Sequence, residues 1–127
     1  MKLFVSGRIP SKKNSKRRLR RGNRTFTVPS LAHESWHGQA FLELRMQCAK
    51  KVKNVRAVSL SFWFKDNAVK DLTNAAESIM DLLVDYGVLE DDCWQKTGQI
   101  TLIPLGIDKK NPGCQIHILE EPDGKEK

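Results

Sequence analysis

Apolar positions along the chain switch between two spacings, and the switches outline its elements. From Lys2 to Ile9, Leu3 and Val5 and, past Gly7, Ile9 alternate with polar residues, the pattern of a strand that Pro10 ends. Arg24 to Val28 supports a second, short strand before Pro29. From Ser30 to about Val52, Trp36, Ala40, Phe41, Leu44, Cys48 and Val52 recur at helical spacing. Ser30 or Ser35 is suited to cap that helix, and Lys50, Lys51 and Lys53 gather where its dipole favours cations. Val58, Leu60, Phe62 and Phe64 alternate through a strand over Ala57 to Phe64.

A further helix is predicted from about Leu72 to Tyr86, with Gly87 as its natural stop. Leu72, Ala75, Ala76, Ile79, Met80, Leu82, Leu83 and Tyr86 form one broad apolar face, while Thr73, Asn74, Glu77, Ser78, Asp81 and Asp85 fill the other. Lys96 to Leu105 and Gly113 to Glu120 read as closing strands joined through Gly106 to Pro112 as a hairpin. These elements predict an α+β fold, a small mixed β-sheet with two main helices packed on one face, as a single domain over residues 1–127.

Charge changes this picture at one end. Lys plus Arg number 22 against 15 Asp plus Glu, a net charge of +7, which points to a polyanionic partner. Ten of the basic residues lie before the first acid, Glu34. Residues 11–24 have almost no apolar anchor and are expected to form a basic loop. Within it Lys12, Lys13, Asn14, Lys16, Arg17, Arg18, Arg20, Arg21 and Arg24 are the candidate DNA-binding residues, touching phosphates without reading sequence. A solvated face or a targeting signal is the plainer alternative for such a run.

No apolar run approaches the roughly 20 residues that span a bilayer, and the N-terminus has no apolar leader core. Cys48, Cys93 and Cys114 are odd in number and widely spaced, the pattern of free thiols in a reducing cytoplasm. A polar tail closes the chain at residues 121–127.

Against the basic background, eight carboxylates gather between Asp66 and Asp92. Singly they have ordinary explanations: Asp71 as a helix cap, Asp91 and Asp92 as turn residues. Together they form a set of hard oxygen donors without thiolate or imidazole, the chemistry that Mg²⁺ prefers. A separate match, His33-Glu34-Ser35-Trp36-His37, satisfies the H-E-x-x-H zinc pattern at the start of a helix. It lacks a recognisable third ligand, although Glu43 and His117 are available.

The run Lys70-Asp71-Leu72-Thr73-Asn74, followed by Asp81-Leu82-Leu83, Gly87-Val88 and Asp91-Asp92, resembles the RusA family of Holliday junction resolvases. Pro10-Ser11-Lys12-Lys13-Asn14 is similar to the same region of its phage and prophage members, so the likeness covers most of the chain. The resemblance implies a homodimeric endodeoxyribonuclease that resolves four-way or otherwise branched DNA by symmetric, Mg²⁺-dependent hydrolysis, with Mn²⁺ as a substitute. It implies Asp71 and Asp92 as the retained metal ligands, with Asp91 as an auxiliary one. This chain departs from the pattern by carrying Thr73 for an aspartate, Glu77 for a lysine and Trp94 for a glutamine. Glu77 stands one helical turn after Thr73 and leans back toward it, so it is the expected replacement ligand. The missing cation would then come from Lys70, a candidate catalytic residue, from Lys12 or Lys16, or from a second metal ion. The alternatives are a junction-binding protein with a degenerate catalytic site and a zinc hydrolase built on His33 and His37.

Overall fold

The computed structural model describes residues 1–10, 16–67 and 71–121. In chain order these form β1 (Lys2–Ser6), β2 (Lys16–Arg21), β3 (Arg24–Pro29), α1 (Leu31–Met46), β4 (Val55–Phe64), α2 (Leu72–Tyr86), α3 (Trp94–Thr97), β5 (Gln99–Ile107) and β6 (Gly113–Glu120). One mixed sheet has the order β1-β6-β4-β5, with β5 parallel to β4 and the other neighbours antiparallel. β2 and β3 pair separately as an antiparallel ribbon. The predicted α+β class is therefore found.

The core is a single layer between sheet and helices. Leu3 and Val5 of β1, Val58, Leu60 and Phe62 of β4, and Ile116 and Ile118 of β6 are buried on one sheet face. Against them lie Trp36, Ala40 and Leu44 of α1 and Ala75, Ala76, Ile79, Met80, Leu82 and Leu83 of α2. Burying a residue such as Leu or Ile this fully removes it from water at a gain of roughly 1.5–3 kcal/mol. The alternation in β4 and the helical spacing in α2 thus have the same cause, one dry face each.

Both helices have defined ends. Ser30 caps α1 by accepting the amide of His33. The helix stops at Met46, short of the expected Val52, because Cys48 turns left-handed at φ 59° and brings the Ala49 amide to Leu44 O at 2.9 Å. A non-glycine residue in that conformation is uncommon, and no sequence signal announced the stop. The chain after it is held by the amide of Val52 on Val88 O. α2 ends at Gly87, φ 102°, with Val88 N on Leu83 O at 2.9 Å and Gly87 N on Val84 O at 3.1 Å. That pair of bonds is a Schellman closure.

Side chains of α1 cover one edge of the sheet. The Phe4 amide donates to Gln47 Oε1 and Gln47 Nε2 donates back to Phe4 O, each at 2.7 Å. Glu43 accepts both the amide and the hydroxyl of Ser6. β1 is thereby closed to further strand pairing, a protection that edge strands commonly need.

Three local expectations are corrected. Lys16–Arg21 is a strand, not part of a loop, because it pairs with β3 around a tight Gly22-Asn23 turn in which Gly22 takes φ 61°. The positive angle at the first central position is what a type II′ hairpin turn requires. β5 and β6 are not hairpin partners, since β4 lies between them. Lys96 belongs to the short helix α3, and β5 begins at Gln99.

Candidate functional site

Asp71 is the N-cap of α2. Its Oδ1 accepts the Thr73 amide at 3.1 Å, the Thr73 hydroxyl at 2.7 Å and the Asn74 amide at 3.3 Å, and its Oδ2 accepts Asn74 Nδ2 at 3.0 Å. Four donors from the first helical turn fix the orientation of this exposed carboxylate. Thr73, which stands where an acid was expected, here orients the acid before it.

From Thr73 onward the outer face of α2 borders an open cleft of about 230 Å³. Thr73, Glu77 and Asp81 of α2 line one side, Asp92 enters from the loop before α3, and Ile100 and Leu102 of β5 form the apolar wall. The helix supplies Glu77 and Asp81 because they are four residues apart and so share a face. Asp92 reaches the same cleft because the Gly87 stop turns the chain back along the helix.

Of the predicted metal ligands, Glu77 and Asp92 thus share the cleft, while Asp71 does not line it and is linked to it only by its bond to Thr73. Asp91 does not line it. Its Oδ1 accepts the Asp92 amide at 2.7 Å, the turn role open to it from sequence. Asp81, four residues after Glu77, also lines the cleft, and that helical spacing is the sequence signal for its place there. Among the described residues no three of His, Cys, Asp or Glu are grouped closely enough to hold a metal ion. The carboxylates line the cleft without meeting at one point. As hard oxygen donors they suit Mg²⁺, which commonly takes one or two carboxylates and completes its shell with water and substrate phosphate.

The basic segment is tied to this helix. The hydroxyl of Ser78, 1% exposed, donates to the carbonyl of Pro10 at 2.6 Å, which fixes the residue before the basic segment against the buried side of α2. In the ribbon Arg18, Arg20, Arg21 and Arg24 are all exposed. Register places Arg18 and Arg20 on one face with Thr25 and Thr27, and Arg21 across from Arg24 at the tip. None of the four arginines pairs with a carboxylate among the described residues. Lys12, Lys13, Asn14 and Lys70, and the side chains of Lys16 and Arg17, lie outside the described residues.

The H-E-x-x-H residues occupy the first two turns of α1. The rings of His33 and His37 stack with centroids 6.1 Å apart, and His37 Nε2 lies 3.1 Å from Asp85 Oδ2 of α2. His37 also packs on Phe41, which meets Tyr86 edge-on. The motif thus takes part in the contact between the two helices.

No family model matches the chain, and no curated protein is similar enough to it to count as a relative.

Proposed function

We propose that this protein is a Mg²⁺-dependent endodeoxyribonuclease acting on branched DNA, of the kind that the RusA-like motif implies. One observation carries the reading: Glu77, Asp81 and Asp92 line a single open cleft, Asp71 is bonded to Thr73 of its lining, and the root of the basic segment is bonded to Ser78 of the same helix. A cation held by these carboxylates would offset their repulsion of a phosphodiester and lower the pKa of a bound water. Asp92, Glu77 and Asp81 would bind it singly or in pairs, with water and the substrate phosphate completing its shell. Asp71 would orient through Thr73 or bind directly once substrate arrives.

The exposed arginines Arg18, Arg20, Arg21 and Arg24 would hold the sugar-phosphate backbone, together with Lys12, Lys13 and Lys16. Symmetric cutting of a four-way junction needs two clefts, which a two-fold homodimer provides. Three free cysteines suit action in a reducing cytoplasm. A second reading, junction binding without cleavage, draws on the carboxylates' failure to converge.

The test is incubation of the purified protein with a four-way junction, a flap and a linear duplex, with and without Mg²⁺ or Mn²⁺. Metal-dependent cutting of the branched substrates supports the nuclease. Tight binding of the junction with intact strands under every metal condition supports the second reading.

A further inference from the structure

α3 borders a second groove, of about 280 Å³, that shares no lining residue with the acidic cleft. Lys51, Lys53 and Lys96 line this groove together with Gln95, and Glu90 is its one acid, 3.3 Å from Lys96 Nζ. The groove is therefore net cationic, although the loop that closes it leads straight to the acids of the cleft. In sequence, Asp92 borders the cleft, Gln95 and Lys96 border the groove, and Trp94 stands between them.

Trp94 is 75% exposed, whereas Trp36 is 8% exposed in the core. A lone exposed indole is ordinary by itself; at this position its significance comes from the lysines next to it and from the turn that holds it. Its support is rigid. Thr97 is fully buried, and a Cβ at Gly98 would collide with the carbonyl oxygen of Arg56, so this turn sits directly on β4 and only glycine fits there. Gly98 also takes φ 66°, and the Lys96–Glu90 bridge ties the turn to the chain before it. A flat aromatic ring on a fixed turn, two residues after an acid of the cleft and next in sequence to residues of the lysine groove, matches the parts of a single-strand site: cations for phosphates and a ring face for a base.

We infer that Trp94 stacks on an unpaired base while Lys51, Lys53 and Lys96 hold the adjoining phosphates, so that the strand runs from the lysine groove into the acidic cleft. The inference rests on the nucleic-acid reading above and deepens it. The substrate is one with unstacked bases beside the phosphate that enters the cleft, as at a branch point. Fully paired duplex offers the ring no base face.

The test uses the full chain and a labelled single strand of about ten nucleotides, a typical site size for such platforms, beside its fully paired duplex. Trp94→Ala is expected to weaken single-strand binding about tenfold and to leave duplex binding unchanged. Trp94→Phe, which keeps a ring, should restore most of the affinity and remove most of the tryptophan quenching seen when the single strand binds. Lys51→Gln with Lys53→Gln should lower the salt slope of single-strand binding by about 1.4, two phosphate contacts. Unchanged single-strand affinity in Trp94→Ala overturns the inference, as does equal weakening on single strand and duplex. Loss of binding in Trp94→Ala by a wild type that never cuts DNA would sink the nuclease and leave the strand path standing. Cutting unaffected by a Trp94→Ala change that also leaves binding intact would do the reverse.

Discussion

Ser78 donates its hydroxyl to the carbonyl oxygen of Pro10 at 2.6 Å, joining the buried side of the acidic helix to the root of the basic segment. This one bond spans 68 positions of sequence and sets where the positive arm begins relative to Glu77.

Ser78→Ala should cost about 1 kcal/mol of stability, since it removes a hydrogen bond and leaves its acceptor partly enclosed. Urea unfolding would show this as a lower midpoint at unchanged slope. Junction affinity should fall as well, because the root of the basic segment loses its tether. Unchanged stability would mean that water replaces the bond freely.

Asp71 has a structural and a chemical role that two substitutions can separate. Asp71→Asn keeps an acceptor for the helix amides and should preserve stability, whereas Asp71→Ala should lose about 1 kcal/mol with the cap. Both should abolish cleavage on the proposed reading. Cleavage by Asp71→Asn at the wild-type rate would remove Asp71 from the metal site.

The cleft orders the remaining carboxylates. Glu77→Gln, Asp81→Asn and Asp92→Asn should each raise the Mg²⁺ concentration for half-maximal cutting by roughly tenfold or more. Asp91→Asn should change it little, because Asp91 is engaged with the Asp92 amide outside the cleft. A large effect confined to Asp91 would invert this assignment.

Gln47→Ala should cost about 1 kcal/mol, as it removes two solvent-exposed hydrogen bonds to the amide and carbonyl of Phe4. It also reopens the edge of β1, so concentration-dependent association is expected to accompany the loss. Analytical ultracentrifugation across a range of concentrations would detect it.

Burial pushes the Cys114 thiol far above its ordinary value of 9.0, while Cys48 and Cys93 are exposed. A thiol reagent should therefore label two cysteines in the native protein and three in denaturant. The sign of the pH effect follows from the raised value. The native state keeps the proton that the unfolded chain releases, so stability is retained below about pH 9 and falls as pH rises beyond it. Native labelling of all three thiols at neutral pH would contradict the burial.

Much of the fold was legible in sequence because local patterns and tertiary needs agree. The alternation of Val58, Leu60 and Phe62 and the helical spacing of Ala75, Ile79 and Leu83 each mark one buried face. Asp71 and Gly87 mark the ends of α2 through capping chemistry that depends only on near neighbours. Sequence also settled the positive balance, the acid-rich stretch and the spacing of Glu77 from Thr73. Strand order was different, because it depends on which edge a strand meets: β4 separates β5 from β6, and nothing between Gly106 and Pro112 announces that. The strand over Lys16–Arg21 was hidden because charged residues carry no apolar alternation, and its pairing comes from β3. The end of α1 at Met46 turns on the left-handed Cys48, a residue type that gives no such signal. Only the tertiary structure brought Asp81 into the cleft with Asp92, left Asp91 outside it and set the exposed Trp94 on a turn seated against β4. Those relationships are long-range, and their energies arise only once sheet and helices have packed.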